Sequence, residues 1–105
     1  MLQEILDELG LPEAETFHVR QPKGAFVAWG LAVDAKGSDY DNEIRRYSAS
    51  IELYEPLDAQ APEAHERLQA ILDEYGLPWK KEERVYLMDL RLLMTGYTFD
   101  YTERR

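Results

Sequence analysis

The stretch Leu2-Gln3-Glu4-Ile5-Leu6-Asp7-Glu8-Leu9-Gly10-Leu11-Pro12 returns as Leu68-Gln69-Ala70-Ile71-Leu72-Asp73-Glu74-Tyr75-Gly76-Leu77-Pro78, identical at nine of eleven positions. Only Glu4/Ala70 and Leu9/Tyr75 differ. Each copy reads as the end of an amphipathic helix. Leu2, Ile5, Leu6 and Leu9 fall at i, i+3, i+4 and i+7, one apolar stripe. Gly10 then takes the left-handed position after the helix, Leu11 folds back on Leu6, and Pro12 prevents resumption. In the second copy the stripe is Ala64, Leu68, Ile71, Leu72 and Tyr75, and Pro62 suits the first helical position. Gly76, Leu77 and Pro78 repeat the stop, with Leu77 meeting Leu72. The echo ends at Pro12/Pro78, so one shared way of ending a helix explains it better than a duplicated unit. Gly10, Leu11, Gly76 and Leu77 are therefore read as structural caps.

Between and after these helices the pattern changes to strand. Glu13 to Gly24, which follows Pro12 and holds Pro22, reads as an extended loop with room for a short edge strand. Ala25 to Val33 is a continuous apolar run rich in aromatic and β-branched residues. From Ile44 to Tyr54 the sequence alternates, with Tyr47, Ala49, Ile51 and Leu53 on one face and Arg46, Ser48, Ser50 and Glu52 on the other. The polar segment between these two strands, about 34–43, is expected to be a flexible exposed loop in an antiparallel hairpin. Trp79 to Leu87 carries the run Lys80-Lys81-Glu82-Glu83-Arg84 and reads as an exposed edge strand. Met88 to Leu93 fits no single pattern. A last strand alternates through Leu93, Thr95, Tyr97, Phe99 and Tyr101, leaving 103–105 as a tail. The expectation is a single α+β domain over 1–105, in the order αββαββ. Its two helices would pack on one face of a mainly antiparallel sheet of about four strands.

A chain of 105 residues is the size of one domain, and 45% hydrophobic content is enough to build a core. Twenty-one acids against twelve bases give a net charge of −9, which disfavours tight binding to phosphate backbones. The absence of cysteine excludes disulfides and thiolate chemistry. The first residues carry neither a basic n-region nor an apolar h-region, so no signal peptide is expected. No apolar run approaches the length of a membrane span.

Chemistry is sparse. His65 falls on the polar side of the second helix and reads as solvated, while His18 in the first loop reads as a packing or capping residue. Asp39, Asp41 and Glu43 stand at alternate positions as in a calcium loop. The sixth position is Ile44 in place of glycine and the twelfth is Ser50 in place of glutamate, so no metal is expected. Gly24 and Gly30 make no phosphate-binding pattern, and no nucleophile stands in a recognisable turn. No catalytic, cofactor or metal residues are assigned.

Several pieces together resemble a small phage protein family. They are Asp41-Asn42-x-Ile44, the strand ending Ile51-Glu52-Leu53-Tyr54, the helix closing Ile71-Leu72-Asp73-Glu74-x-Gly76-Leu77-Pro78, and the final strand Tyr97-Thr98-Phe99-Asp100-Tyr101. The chain is similar in these to siphophage and prophage tail completion, tail terminator or head–tail joining proteins. The resemblance implies a structural, non-enzymatic virion subunit, made in the bacterial host cytoplasm and placed at the head–tail junction. It implies a homo-oligomeric ring, commonly of six copies, contacting tail-tube and head-connector proteins, with DNA only as passing cargo. Lys36, Asp39, Tyr40, Asp41, Asn42, Arg46, Tyr54, Lys80, Lys81 and Arg84 are the residues expected at subunit or partner contacts. The alternative is an acidic adaptor, or an inhibitor that mimics the charge of DNA, with a basic partner. A small enzyme ranks third.

Overall fold

The computed structural model describes residues 1–33 and 44–104. In chain order the elements are α1 (Leu2–Leu9), β1 (Glu13–Glu15), β2 (Phe26–Val33), β3 (Ile44–Pro56), α2 (Pro62–Glu74), β4 (Trp79–Lys81), β5 (Val85–Leu87) and β6 (Leu92–Arg104). The sheet runs β1-β2-β3-β6-β4, with β5 also on β6. This corrects the expectation of about four antiparallel strands in the order αββαββ: the sheet is six-stranded and mixed. The extra strands are three residues long, too short to show periodicity. β1 pairs parallel to β2, Glu13 opposite Val27 and Glu15 opposite Trp29, a long-range pairing that no local pattern encodes. The segment Trp79 to Leu87 divides into β4 and β5 around the charges Glu82 to Arg84, both halves lying on β6.

β3 and β6 form the spine, paired antiparallel from Ile44↔Arg104 to Pro56↔Leu92. β6 thus begins before Leu93 and continues into the presumed tail. β2 and β3 pair antiparallel from Phe26↔Tyr54 to Val33↔Tyr47. The expected loop at about 34–43 lies outside the described residues.

Strand alternation sends Val27, Ala49, Ile51, Leu53, Tyr97, Phe99 and Tyr101 to one face, where they meet the stripes of both helices. Ile5, Ile51, Leu53, Leu68, Leu72 and Tyr97 have no exposed surface at all. Burying a side chain of this size is worth about 1.5–3 kcal/mol, so this face supplies most of the fold's stability.

The repeated stretch forms two different caps. Gly10 and Gly76 are both left-handed, at φ 74° and 69°. At the end of α1 only the Gly10 amide turns back, to the Leu6 carbonyl at 3.1 Å. At the end of α2 the Gly76 amide donates to Asp73 at 3.0 Å and the Leu77 amide to Leu72 at 3.1 Å, the double-bonded Schellman arrangement. Tyr75, where the first copy has Leu9, donates its hydroxyl to Glu8 Oε2 at 2.5 Å. The second copy thereby contacts the first. That hydrogen bond to the carboxylate pushes the Tyr75 hydroxyl up to about 12.

Candidate functional site

The period of two that buries Leu53 also buries the next residue on that face of β3, Glu55, whose side chain is 1% exposed. α2 supplies His65, one residue from Ala64 on the buried stripe and itself 6% exposed. This corrects the reading of His65 as solvated: it lies on the flank of the stripe, where the sheet closes over it. His65 Nε2 is 2.6 Å from Glu55 Oε1, and His65 Nδ1 is 2.7 Å from the Tyr97 hydroxyl. Gln69, one helical turn on, donates Nε2–H to the same hydroxyl at 3.0 Å. The Ala61 amide donates to the other Glu55 oxygen at 2.8 Å.

Donor and acceptor matching assigns the protons. Tyr97 accepts from Gln69, so its own O–H points at His65 Nδ1, and the Nε2–H of His65 donates to Glu55. A neutral imidazole satisfies every group in this chain. Arg84, from the segment between β4 and β5, brings Nη2 to 3.5 Å from Glu55 Oε1 and balances the carboxylate charge. Burial pushes the Glu55 carboxyl up, but the hydrogen bonds from His65 and the Ala61 amide, with the Arg84 charge, outweigh it and hold the group below its ordinary 4.5. Burial raises the Tyr97 hydroxyl. The cluster resembles part of a catalytic relay, but the hydroxyl beside His65 belongs to Tyr97, which is fully buried, and both imidazole nitrogens are engaged within the cluster. Its geometry suits fastening α2 to the sheet. Thr95, on the same face of β6, has a buried hydroxyl with no partner.

His18 behaves as a packing residue: Nε2 donates to the Val27 carbonyl at 2.8 Å and the ring stands edge-on to Phe26, 5.0 Å away. Phe26 stacks on Tyr54 at 4.9 Å. These rings, with Phe17, Ala28, Leu90 and Leu92, line a small half-open cleft at one end of the sheet face opposite the helices. Phe17 and Leu90 are largely exposed at its rim. Toward the other end that face is open and carries Gly30 and the short side chains of Ala32, Ser48, Ser50 and Thr98 beside Asp100.

Of the residues expected at contacts, those that are described lie apart from one another. Lys36, Asp39, Tyr40, Asp41 and Asn42 lie outside the described residues. Arg46 is exposed on the open face, 3.6 Å from Asp100. Tyr54 is half-buried eight positions along β3, roughly 26 Å away at strand spacing. Its hydroxyl meets Glu52 at 3.3 Å and is pushed up to about 12, by burial first and by that carboxylate second. Lys80 and Lys81 are exposed on β4. Arg84 turns inward to Glu55. The described part of the expected site is therefore scattered.

Among the described residues no group of three or more His, Asp or Glu side chains could hold a metal ion. No described helix is long and apolar enough to cross a membrane. No protein-family model matches the chain, and no curated protein matches it in sequence.

Proposed function

We propose that this protein is a structural subunit of a phage particle, a tail terminator, tail completion or head–tail joining protein that works as a ring of identical copies. The observation that carries this reading is where the fold spends its polar chemistry. The only buried titratable cluster among the described residues is closed on itself, while half of one sheet face remains open. An open sheet face beside a closed polar cluster supports a role in assembly. The sequence resemblance supplies the kind of assembly, and the net charge of −9 suits a channel through which DNA passes without adhering. Deleting the gene from an inducible prophage tests the proposal. Tails of uncontrolled length, or tails and filled heads that fail to join, are expected. Normal infectious particles would refute it.

One observation favours a second reading. Glu4, Asp7, Glu8, Glu63, Glu66, Asp73 and Glu74 are all exposed on the two helices, which also carry the exposed base Arg67. Such a concentration fits an acidic adaptor or an inhibitor that imitates DNA. A single basic enzyme recovered by affinity purification, with no virion protein, would support that reading over the first.

A further inference from the structure

The cleft on the sheet face opposite the helices has a floor and two walls. Its floor is Phe26 and Ala28 of β2, Tyr54 of β3 and Leu92 of β6. One wall is the segment after β1, with Phe17, His18 and Gln21, and the other is the turn before β6, with Leu90. Backbone bonds fix both. On the first wall His18 donates to the Val27 carbonyl, and the Thr16 amide donates to the Trp29 carbonyl at 2.8 Å. On the second, the Arg91 amide donates to the Met88 carbonyl at 3.3 Å, and the Leu57 amide donates to the Arg91 carbonyl at 3.0 Å.

Three observations meet at these walls. The four most exposed large apolar side chains among the described residues are Val19, Met88, Phe17 and Leu90, at 96%, 74%, 66% and 56%. Two belong to each wall, and a cluster of this kind marks a binding surface. The walls also reverse the sign of the chain's charge. Residues 16–24 and 88–91 carry three bases, Arg20, Lys23 and Arg91, against the single acid Asp89, in a chain of net charge −9. All three bases are exposed, and none forms an ion pair among the described residues. Lastly, Thr16 and Arg91 are the only non-glycine residues among those described with a left-handed backbone, at φ 68° and 54°. One lies in each wall, and strained backbone of this kind gathers at ligand clamps.

We infer that the cleft holds an acidic segment of a partner protein, seating one phenylalanine, tyrosine or leucine side chain between flanking carboxylates that reach Arg20, Lys23 and Arg91. The cleft's volume of about 150 Å³ matches an apolar cavity that takes one benzene ring, so it admits a single anchor. That anchor meets the stacked rings of Phe26 and Tyr54. A free small molecule of this size would leave Val19 and Met88 in water, whereas a chain segment laid across both walls covers them too. An anionic membrane offers charge but no side chain to fill the cleft, and the acidic bulk of the chain opposes a broad negative surface. Because both walls are already fixed, little is lost in ordering them. The inference does not depend on the virion role.

Selection from a random peptide library displayed on yeast, with the full-length purified protein as bait, tests it. Enriched peptides are expected to carry a phenylalanine, tyrosine or leucine flanked by aspartate or glutamate. The strongest of them, synthesised with a fluorescent label, should bind less tightly as salt rises. Arg20→Glu combined with Lys23→Glu should weaken that binding about tenfold, and the conservative pair Arg20→Lys with Lys23→Arg should retain it. Leu90→Ser should also weaken it, through the apolar wall alone. These side chains are exposed, and circular dichroism checks that each variant keeps the fold. No enrichment over bare beads, or enrichment of basic or uncharged peptides, would overturn the inference. So would binding that the charge reversals leave unchanged. Co-sedimentation with vesicles of phosphatidylcholine and phosphatidylserine, lost in the same variants, would assign the walls to a membrane and overturn it as well.

Discussion

His65 Nε2 donates to Glu55 Oε1 across 2.6 Å, joining α2 to β3 with both side chains buried. Removing one partner strands the other. His65→Leu leaves the Glu55 carboxylate facing an apolar side chain and should cost about 3 kcal/mol in urea unfolding, the size expected for a broken buried pair. Replacing both by leucine should cost distinctly less, because no unpaired buried charge remains and the partly exposed Arg84 can turn to solvent. Equal losses in the single and double variants would show that the bond contributes little.

The same carboxyl makes stability depend on pH with a definite sign. Glu55 is held below its ordinary 4.5 in the folded protein. A carboxyl depressed in this way adds stability that is complete above the unfolded-state value and disappears as the pH falls through the folded-state value. Unfolding free energy should therefore fall as the pH drops below the ordinary 4.5, and fall less steeply in Glu55→Gln. Parallel acid limbs for the two proteins, measured by denaturant melts, would contradict this.

The helices and their stops were legible because their determinants are local: Leu2, Ile5, Leu6 and Leu9 lie within two turns of Gly10. The long strands were legible for the same reason. The parallel pairing of Glu13–Glu15 could not be read, nor could the division of the expected Trp79–Leu87 edge strand into two, since pairing partners are distant in sequence and three residues carry no period. The buried network was missed although a signal existed. Glu55 continues the buried alternation Tyr47, Ala49, Ile51, Leu53, and a carboxylate at a core position calls for a partner. His65, beside the apolar stripe, was the residue to test against it. What could not be read was Arg84, which a charged run suggested was solvated.

Thr95 carries the opposite lesson, a polar atom buried without compensation. Thr95→Val keeps the shape and removes the desolvated hydroxyl. It should raise stability by about 1 kcal/mol, the low end of the cost of a buried unpaired group. A loss of stability on thermal or urea melting would show that the hydroxyl has a partner, such as a bound water.

The two helix stops allow a paired comparison. At both Gly10 and Gly76 an added Cβ would have open space around it, so the whole cost of alanine lies in the left-handed backbone. Gly10→Ala and Gly76→Ala should each cost about 1 kcal/mol despite their different hydrogen-bond patterns. A negligible loss at either would show that the backbone there escapes the left-handed conformation easily.

The central claim is that this fold is an assembling part of a virion. Antibody labelling of purified phage particles by electron microscopy tests it most directly. The account predicts label confined to the junction between head and tail, and loss of that junction when the gene is deleted. Complete, unlabelled particles, with the protein recovered instead on a soluble basic partner, would contradict it.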